Sequence, residues 1–407
     1  MFRDYLQLPL PVRILCLGSL INRAGSFVLV FLSIYASEQL GFGVPFATAC
    51  IGVLGLGSMA GSLLGGHLAD KVGRRGVMLL ALFGGAAILL LLSTVTNRWL
   101  FMLSVGVFAL VADLYRPAAA AMIADLVSID RRPHAFALMY ISINLGFAIA
   151  PPIGGLLAGY SFVWLFWIDA ASMIVYGMII ALTIEETHPR RVSVEADRPA
   201  ASVASWIETF KKISLDIPFL LFCISTLLIA LVFVQGLSTL PIYIRQLGYS
   251  NLQFGLLMSV NGLLIVVLQL PLTHWLSRFN AMTIVLIGGV LISIGFGLTA
   301  AGTGLVFVGA CIAIWTLGEI LQAPFKQAIV TDMAPDELRG SYLGLFTMCY
   351  ASALTIGAPI GGTVLYRFGP TMLWIGTFMV AMIAVAVYIA IYASVTRRVA
   401  RRVARVG

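Results

Sequence analysis

The chain alternates long apolar runs with short polar segments. A helix that spans a bilayer needs roughly 20 predominantly apolar residues, and twelve runs of this chain reach that length. Several runs contain Gly or Pro, which membrane helices tolerate where neighbouring helices satisfy the backbone. The pattern predicts an all-α integral membrane protein, with spans 1 to 12 at residues 12–36, 45–69, 76–96, 99–122, 135–159, 162–184, 217–243, 251–276, 281–301, 304–328, 341–366 and 369–394.

The longest polar segment separates the first six spans from the other six. It is predicted to be a cytoplasmic linker with a short amphipathic helix near residues 205–213. The domain organisation that follows is a set of four parts: an N-terminal six-helix half at 1–184, the linker at 185–216, a C-terminal six-helix half at 217–396 and a basic cytoplasmic tail at 397–407.

The two halves share matches at a constant offset of 207 residues. The matching pairs are Pro117 and Pro324, Asp125 and Asp332, Arg132 and Arg339, Pro152 and Pro359, and Ile153-Gly154-Gly155 with Ile360-Gly361-Gly362. Six helices per repeat give both copies the same direction across the membrane. Parallel six-helix repeats, with a substrate site at their interface near the midplane, are typical of secondary transporters.

Charge is scarce and unevenly placed. Only 10% of residues are charged, and the formal net charge is +8. When the N-terminus is placed in the cytoplasm, the outer loops keep only Arg98, Arg245 and Arg367, while the other loop and tail arginines lie inside. This positive-inside asymmetry predicts that both termini are cytoplasmic. The basic tail is expected to contact anionic lipid headgroups, and we expect no nucleic-acid partner.

The chemistry of an enzyme is not evident in the sequence. The five cysteines and four histidines have no metal-ligand spacing, and no nucleophilic triad or nucleotide-binding loop is found. The glycines of span 2 are interpreted as a close-packing face. We therefore expect no enzymatic activity, metal or cofactor, and an ion gradient as the energy source.

Two motifs resemble the major facilitator superfamily. The loop "GGHLADKVGRR", residues 65–75, resembles the superfamily signature between helices 2 and 3. In span 5, "LGFAIAPPIGGLLAG" resembles the Gly/Pro-rich antiporter motif, and its matching residues are Gly146, Pro151, Pro152, Gly154, Gly155 and Gly159. The segment "TLGEILQAP", residues 316–324, resembles span 10 of bacterial drug/proton antiporters.

The resemblance implies a fold, a location and a function. The implied fold has twelve transmembrane helices in two pseudo-symmetric six-helix halves, and the implied location is the bacterial cytoplasmic membrane. The branch it resembles most is that of twelve-helix multidrug efflux proteins driven by protons. We expect a monomer whose partners are protons, lipids and a small-molecule substrate.

The same fold suggests a role for the charges of the 65–75 loop. Gly66 and Gly73 allow a tight turn, and Asp125 is expected within reach of the loop. Asp70, Arg74 and Asp125 are predicted to form an ion cluster that holds the inner side shut. The second-half counterpart, "HWLSRFNAM", lacks a match to Asp70, so a weaker cluster is expected there. Topology alone explains the basic residues but not Asp70.

Ionisable residues inside the spans are candidates for proton coupling, because such groups are costly in a bilayer and face the protein interior. Glu319 in span 10, Asp113 in span 4 and Arg23 in span 1 are the candidates. Each has a structural alternative: a packing hydrogen bond for Glu319, and an ion pair of Asp113 with Arg116 or Arg23. Lys326 is expected to extend to the lipid headgroups, and Asp169 of span 6 to be a structural hydrogen-bonding acid.

The preferred hypothesis is a proton-coupled antiporter that exports amphipathic organic compounds by alternating access. Its predicted substrate cavity is lined by Phe27, Tyr115, Arg116, Tyr140, Asn144, Gln235, Asn261, Trp315 and Gln322, each of which has an alternative interpretation as packing. The alternative within transport is a facilitator or exporter of a defined metabolite such as a sugar, a lysophospholipid or a siderophore. The hypothesis of a non-transporting membrane sensor or scaffold lacks support, because the sequence has no extramembrane segment longer than the linker.

Overall fold

The structure, a computed structural model, describes residues 8–128, 131–187, 212–335 and 338–406. Within these ranges the chain is helical and contains no strand. Span 1 consists of the helices Leu10–Ala24 and Val28–Ile34 and the π-helix Tyr35–Gln39, span 4 of Arg98–Ala112 and Tyr115–Leu126, and span 7 of Ile217–Phe233, Gln235–Ser238 and Leu240–Gln246. Spans 2, 3, 5, 6, 8, 9 and 10 are the single helices Val44–Val72, Arg74–Leu92, Arg132–Tyr160, Val163–Thr183, Asn251–Leu276, Ala281–Leu298 and Leu305–Met333. The last helix is Arg339–Val406.

The number of spans agrees with the prediction once the last helix is divided. Eleven segments of the described residues are long and apolar enough to cross a membrane, and the last runs from Arg339 to Ala400. Inside it Gly369 has φ 80° and ψ 175°, which is not helical. Spans 11 and 12 meet at this residue, and the predicted twelve-helix fold is confirmed.

Polar side chains fix where several helices begin. The Asn97 side chain accepts hydrogen bonds from the amides of Trp99 and Leu100 at the start of span 4. Asn280 does the same for span 9, and Asp216 accepts from the Phe219 amide at the start of span 7. These side chains satisfy amides that have no partner within the first turn of a helix.

Contacts group the chain into two compact units. One comprises Met1–His188, Gly236–Val266 and Leu354–Arg367, and the other comprises Pro189–Gln235, Val267–Ala353 and Phe368–Gly407. The predicted halves follow the repeat in the sequence, whereas these units group segments that contact one another, so the two divisions have different boundaries. The boundaries of the halves and of the linker therefore stay predictions, and most of the amphipathic helix predicted near 205–213 lies outside the described residues.

Glycines let helices approach closely within the first unit. A methyl group added at Gly57, Gly61 or Gly65 of span 2 would meet the backbone of span 4 at residues 106, 110 and 114. The three glycines are four residues apart, so they share one face of the helix. The predicted close-packing face of span 2 is confirmed.

Four further contacts of the first unit join spans 1, 2 and 5 to spans 7, 8 and 11. Span 5 packs against span 8, where the Ser259 hydroxyl donates to the Ala148 carbonyl at 3.1 Å. Span 2 packs against span 11, where a methyl group at Gly52 would lie 2.7 Å from the Thr355 carbonyl oxygen. Phe31 of span 1 packs edge-on against Phe254 of span 8.

The fourth contact is an ion pair between spans 1 and 7. The Arg245 Nε lies 3.1 Å from Glu38 Oε2, and Arg245 also donates to the Tyr249 carbonyl at 2.7 Å. Glu38 lies in the π-helical turn that ends span 1.

Candidate functional site

Span 1 is broken at residues 25–27, and span 6 fills the break. The helix stops at Ala24 and restarts at Val28, whose amide donates to the Asp169 carboxylate at 3.4 Å. Asp169 is only 3% exposed. The Asn22 side-chain amide donates to the Ser172 hydroxyl at 3.5 Å, one turn further along span 6. Asp169 thus has the structural hydrogen-bonding role expected for it.

Span 4 is broken at Asp113, which ends the helix Arg98–Ala112. The carboxylate of Asp113 lies 3.5 Å from Arg116 Nε, and 66% of the Arg116 side chain is exposed. Of the two ion pairs considered for Asp113, the structure forms the local one with Arg116. The amides of Asp113 and Leu114 still bond to the Ala109 and Val111 carbonyls, so the interruption is short and keeps a near-helical backbone.

Arg23 stands near both carboxylates without a close ion pair. Within the described residues no carboxylate oxygen lies within 4.0 Å of its guanidinium, yet Asp113 and Asp169 both act on it electrostatically, and so does Arg116. Two cations and two carboxylates therefore surround the breaks of spans 1 and 4, and their formal charges cancel.

A cluster of hydroxyls adjoins this group of charges. The Tyr115 and Tyr176 hydroxyls bond to each other, and the Ser19 hydroxyl lies 3.2 Å from that of Tyr176. Tyr176 also donates to the Leu15 carbonyl at 2.9 Å. Tyr115, predicted to line a cavity, is thus tied to spans 1 and 6 by its hydroxyl.

The other first-unit residues of the predicted cavity differ in exposure. Phe27 is 2% exposed and packs at the break of span 1 against Gly154. Tyr140 is 45% exposed, and the Asn144 amide donates to the Tyr140 carbonyl at 2.8 Å. Asn261 is partly buried in span 8. Their predicted role in binding stays a prediction.

In the second unit, the predicted cavity residues are buried. Trp315 is 3% exposed and stacks on Phe296 at 5.3 Å. Gln235 is 4% exposed and donates to the Leu231 carbonyl at 3.0 Å, where span 7 is interrupted. Gln322 is 3% exposed and donates to the Val285 carbonyl at 2.8 Å. These contacts match the packing alternative for all three.

Span 10 carries two ionisable side chains. Glu319 is partly buried and acts electrostatically on Tyr350 of span 11. Lys326, predicted to reach the headgroups, is instead 1% exposed, and its ammonium lies 5.6 Å from the centre of the Tyr388 ring. That prediction is wrong because spans 11 and 12 cover the side chain.

The predicted antiporter motif makes close contacts on two sides of span 5. A methyl group at Gly146 would lie 2.6 Å from Arg23 Cβ, and one at Gly154 would lie 2.8 Å from the Phe31 ring. On the other side, Gly155 contacts the backbone of Asn251 in span 8. The helix Arg132–Tyr160 continues through Pro151 and Pro152. The motif thus acts sterically, by bringing span 5 close to spans 1 and 8.

The predicted charge cluster forms around the 65–75 loop. Arg74 Nε lies 2.9 Å from Asp125 Oδ2, whereas Asp70 is 3.9 Å from Arg74 and its side chain is 73% exposed. Gly73, with φ 109°, makes the turn between the helices Val44–Val72 and Arg74–Leu92. The turn predicted for Gly66 is wrong, because span 2 stays helical to Val72 and Gly66 lies inside it.

Glu186, which the sequence pattern does not predict at this place, also belongs to the cluster. Its carboxylate accepts from the amides of Arg74 at 2.9 Å and Arg75 at 3.0 Å, and so caps span 3. The signal that the sequence offers for Glu186 is its position as a carboxylate directly after span 6. Spans 2, 3, 4 and 6 are joined at this point, all within the first half.

A second polar cluster lies at the corresponding side of the second unit. Arg398 donates to both carboxylate oxygens of Asp216, at 2.8 and 2.7 Å, and to the Met333 carbonyl at 2.5 Å. The Tyr342 hydroxyl donates to the same carboxylate at 2.7 Å. Arg278, the counterpart expected from the loop pattern, lies over the ring of Trp275 at 5.0 Å. The second half thus has a cluster of its own, built from spans 7, 10, 11 and 12.

Metal ligands are not gathered anywhere in the described part of the chain. No group of three or more His, Cys, Asp or Glu side chains there is arranged to hold a metal ion. The five cysteines are all buried and unbridged.

Comparisons with known proteins agree with the fold. The chain is 27% identical to a Na(+), Li(+), K(+)/H(+) antiporter of Planococcus maritimus, over 88% of this chain and 90% of that protein. It is 22% identical to the multidrug resistance protein MdtH of Edwardsiella ictaluri, over 92% of each. A crystal structure of a peptide transporter POT in complex with sulfate matches with a TM-score of 0.77 at 18% identity, over 96% of each chain.

The family model of the Major Facilitator Superfamily matches residues 15–357. This range covers most of the chain and includes the 65–75 loop, the Gly/Pro-rich span 5 and Glu319. The chain belongs to the Major Facilitator Superfamily of membrane transporters.

Proposed function

We propose that this transporter is a proton-driven antiporter that exports amphipathic organic compounds across the bacterial cytoplasmic membrane, with both termini in the cytoplasm. The observation that carries the proposal is the position of Asp113 at the break of span 4, 3.5 Å from the exposed Arg116. The similarity to a multidrug resistance protein and to a cation/proton antiporter supports it.

Asp113 suits an exchange mechanism because its partner is exposed. The pair with Arg116 is local and loose, so a cationic substrate or a proton can replace Arg116 as the group that neutralises the carboxylate. A carboxylate that binds either the proton or the cation, but not both at once, couples their opposite movements. Glu319 is proposed as a second proton-binding carboxylate, in the other unit.

The proton gradient is a sufficient energy source for such exchange. One charge that crosses 100 mV provides about 2.3 kcal/mol, and each pH unit provides about 1.4 kcal/mol. A single proton per cycle can therefore maintain an appreciable substrate gradient.

A monovalent metal cation is the second candidate substrate. It is favoured by the 27% identical Na(+), Li(+), K(+)/H(+) antiporter. The oxygen atoms near the break of span 1, on Asp169, Ser172 and Asn22, are of the type that hard cations bind. The alternative of a defined metabolite, such as a sugar, a lysophospholipid or a siderophore, is tested by adding such compounds to the experiment described below.

The cytoplasmic charge cluster is proposed to be a gating element. Arg74 contacts Asp70, Asp125 and Glu186 and so fastens spans 2, 3, 4 and 6 to one another, so that the first half moves as one body during alternating access. Breaking the cluster is expected to shift the populations of the transport states without abolishing substrate binding.

The experiment uses everted membrane vesicles with an acidic interior. A pH-sensitive dye reports proton release when ethidium, NaCl or KCl is added. We expect ethidium to dissipate the pH gradient in wild-type vesicles and the Asp113→Asn variant to lose about a hundredfold of this activity. Glu185→Gln, which changes an exposed carboxylate outside the proposed site and the charge cluster, is the control and should retain it.

Each result distinguishes the candidates. Dissipation by Na⁺ or K⁺ but not by ethidium would replace the organic substrate with a metal cation. A wild-type rate in Asp113→Asn vesicles would contradict the role of Asp113. Failure of every probe would contradict proton-driven antiport.

A further inference from the structure

Lys326 is a charged side chain at full burial within the membrane. It is 1% exposed, and its ammonium lies 5.6 Å from the centre of the Tyr388 ring. The Tyr388 hydroxyl lies 3.1 Å from that of Thr226 in span 7, so this ring is itself held in place. Spans 7, 10 and 12 together build the surroundings of this one ammonium.

No carboxylate neutralises Lys326 within the described residues. Its ammonium has no ion pair there, whereas Arg398, a partly buried cation of the same unit, pairs with Asp216. Cys349 of span 11 acts on Lys326 electrostatically, and the Tyr388 ring of span 12 faces it. Cys223 of span 7 and Tyr350 of span 11 act in turn on Tyr388, and Glu319, on the same helix as Lys326, acts on Tyr350. Span 9, which also packs against span 10, contains no titratable side chain.

Lys326 shares one side of span 10 with Glu319 and Gln322. Residues 319, 322 and 326 are separated by three and four positions, which places them on neighbouring turns of the same helix face. Long helical side chains lean toward the N-terminus of their helix, and therefore Lys326 leans toward Glu319.

Gln322 offers an unused acceptor between the two charges. Its amide nitrogen donates to the Val285 carbonyl at 2.8 Å. Its buried Oε1 accepts no hydrogen bond from the described residues. A buried acceptor without a partner is costly and is a natural position for a proton-carrying water between Glu319 and Lys326.

Tyr350 provides a second connection. It acts electrostatically on Tyr388, whose ring faces Lys326, and it is acted on by Glu319. Gln322 thus lies between Glu319 and Lys326 along span 10, and Tyr350 and Tyr388 connect the two electrostatically.

We propose that Lys326 is a proton relay that receives the proton released by Glu319 and passes it toward the side of the membrane on which the termini lie. The direction follows from the helix, because Lys326 comes after Glu319 and seven residues before span 10 ends at Met333. This inference rests on the proposed proton-driven function and assigns it a second titrating residue.

The transfer balances without any other reactant. The Glu319 carboxylic acid loses a proton and becomes a carboxylate, while the Lys326 amine gains it and becomes an ammonium. The ammonium then gives the proton to water on the terminal side. Because a buried charge without a paired carboxylate is costly, the ammonium releases this proton readily.

The test separates proton-driven transport from substrate movement alone. The full-length protein is reconstituted in liposomes, and the probe is whichever of ethidium and Na⁺ the wild type exchanges for protons. Lys326→Arg keeps a permanent positive charge, Lys326→Met removes the charge, and Lys71→Arg, at an exposed lysine near the end of span 2, is the matched control. Each variant is measured with a pH gradient, and then without one as downhill movement of the probe.

Both substitutions at Lys326 should lower gradient-driven transport by about a hundredfold and leave downhill movement within about twofold of wild type. Lys71→Arg should match wild type in both assays. Gradient-driven transport at the wild-type rate in Lys326→Arg would show that only the charge is needed and would overturn the relay. Equal losses in both assays would indicate a structural role and would overturn it as well.

Failure of the underlying function has a different signature. If the wild type exchanges neither probe for protons, the proposed function fails and the relay fails with it. If the wild type exchanges a probe and Lys326→Arg does so equally well, only the relay is contradicted.

Discussion

At the scale of single residues, the sequence predicts which charges matter better than it predicts their partners. Arg74 and Asp125 form the predicted ion pair at 2.9 Å. Glu186 escaped notice because it joins that pair from a position 112 residues after Arg74. Lys326 was assigned to the lipid headgroups because a helix end permits that conformation, but the covering side chains come from spans that are distant in sequence. Partners that depend on helix packing are not encoded in local spacing.

Gly73 gives a prediction at this scale. Its φ of 109° is strained for any residue with a Cβ, and a methyl group there would lie 2.5 Å from Glu186 Oε2. Gly73→Ala should therefore lower the free energy of unfolding by about 1–3 kcal/mol, seen as a lower melting temperature of the purified protein in detergent. Gly66→Ala is the control, because the nearest atom is 4.0 Å away at Pro117. Equal melting temperatures for the two variants would contradict the role of Gly73.

At the scale of helices, the hydrophobic pattern predicts the number of spans but not their interruptions. Span 1 was predicted to be continuous over 12–36 and is broken before Val28, whose amide bonds to Asp169. Span 4 is likewise broken at Asp113. Apolar length measures whether a helix can cross a bilayer, whereas a break is stabilised by a polar group on another helix. Such a group is visible only after the helices have packed.

The contact of span 5 with span 8 gives a prediction at the scale of helices. Gly155→Leu should push these spans apart, since Gly155 faces the backbone of Asn251 and overpacking costs about 1–3 kcal/mol. A cysteine introduced by Asn251→Cys should then react with a membrane-impermeant maleimide about tenfold faster than in the Gly155 background. Gly159→Leu is the control, because nothing lies within 4 Å of a methyl group there. An unchanged labelling rate in Gly155→Leu would contradict the close approach of spans 5 and 8 at Gly155.

At the scale of the whole molecule, the repeat found in the sequence reappears in the contacts of the first unit. Glu38 and Arg245, which pair at 3.1 Å, are separated by the repeat offset of 207 residues. The contact of Gly52 with Thr355 and that of Ser259 with Ala148 are related by the same offset, since 52 and 259 differ by 207, as do 148 and 355. The offset came from spans 4, 5, 10 and 11, and the contacts extend it to spans 1, 2, 7 and 8. The substrate is not predictable in this way, because binding depends on side chains that the repeat does not preserve.

The central claim is that transport by this protein is driven by protons moving in the opposite direction. The most direct measurement uses proteoliposomes of the wild-type protein with a pH-sensitive dye inside and an ethidium gradient, but no pH gradient, imposed across the membrane. Ethidium moving down its gradient should drive protons the other way and change the internal pH, and Asp113→Asn should abolish this change. Ethidium movement at the wild-type rate with no change in internal pH would contradict proton-driven antiport.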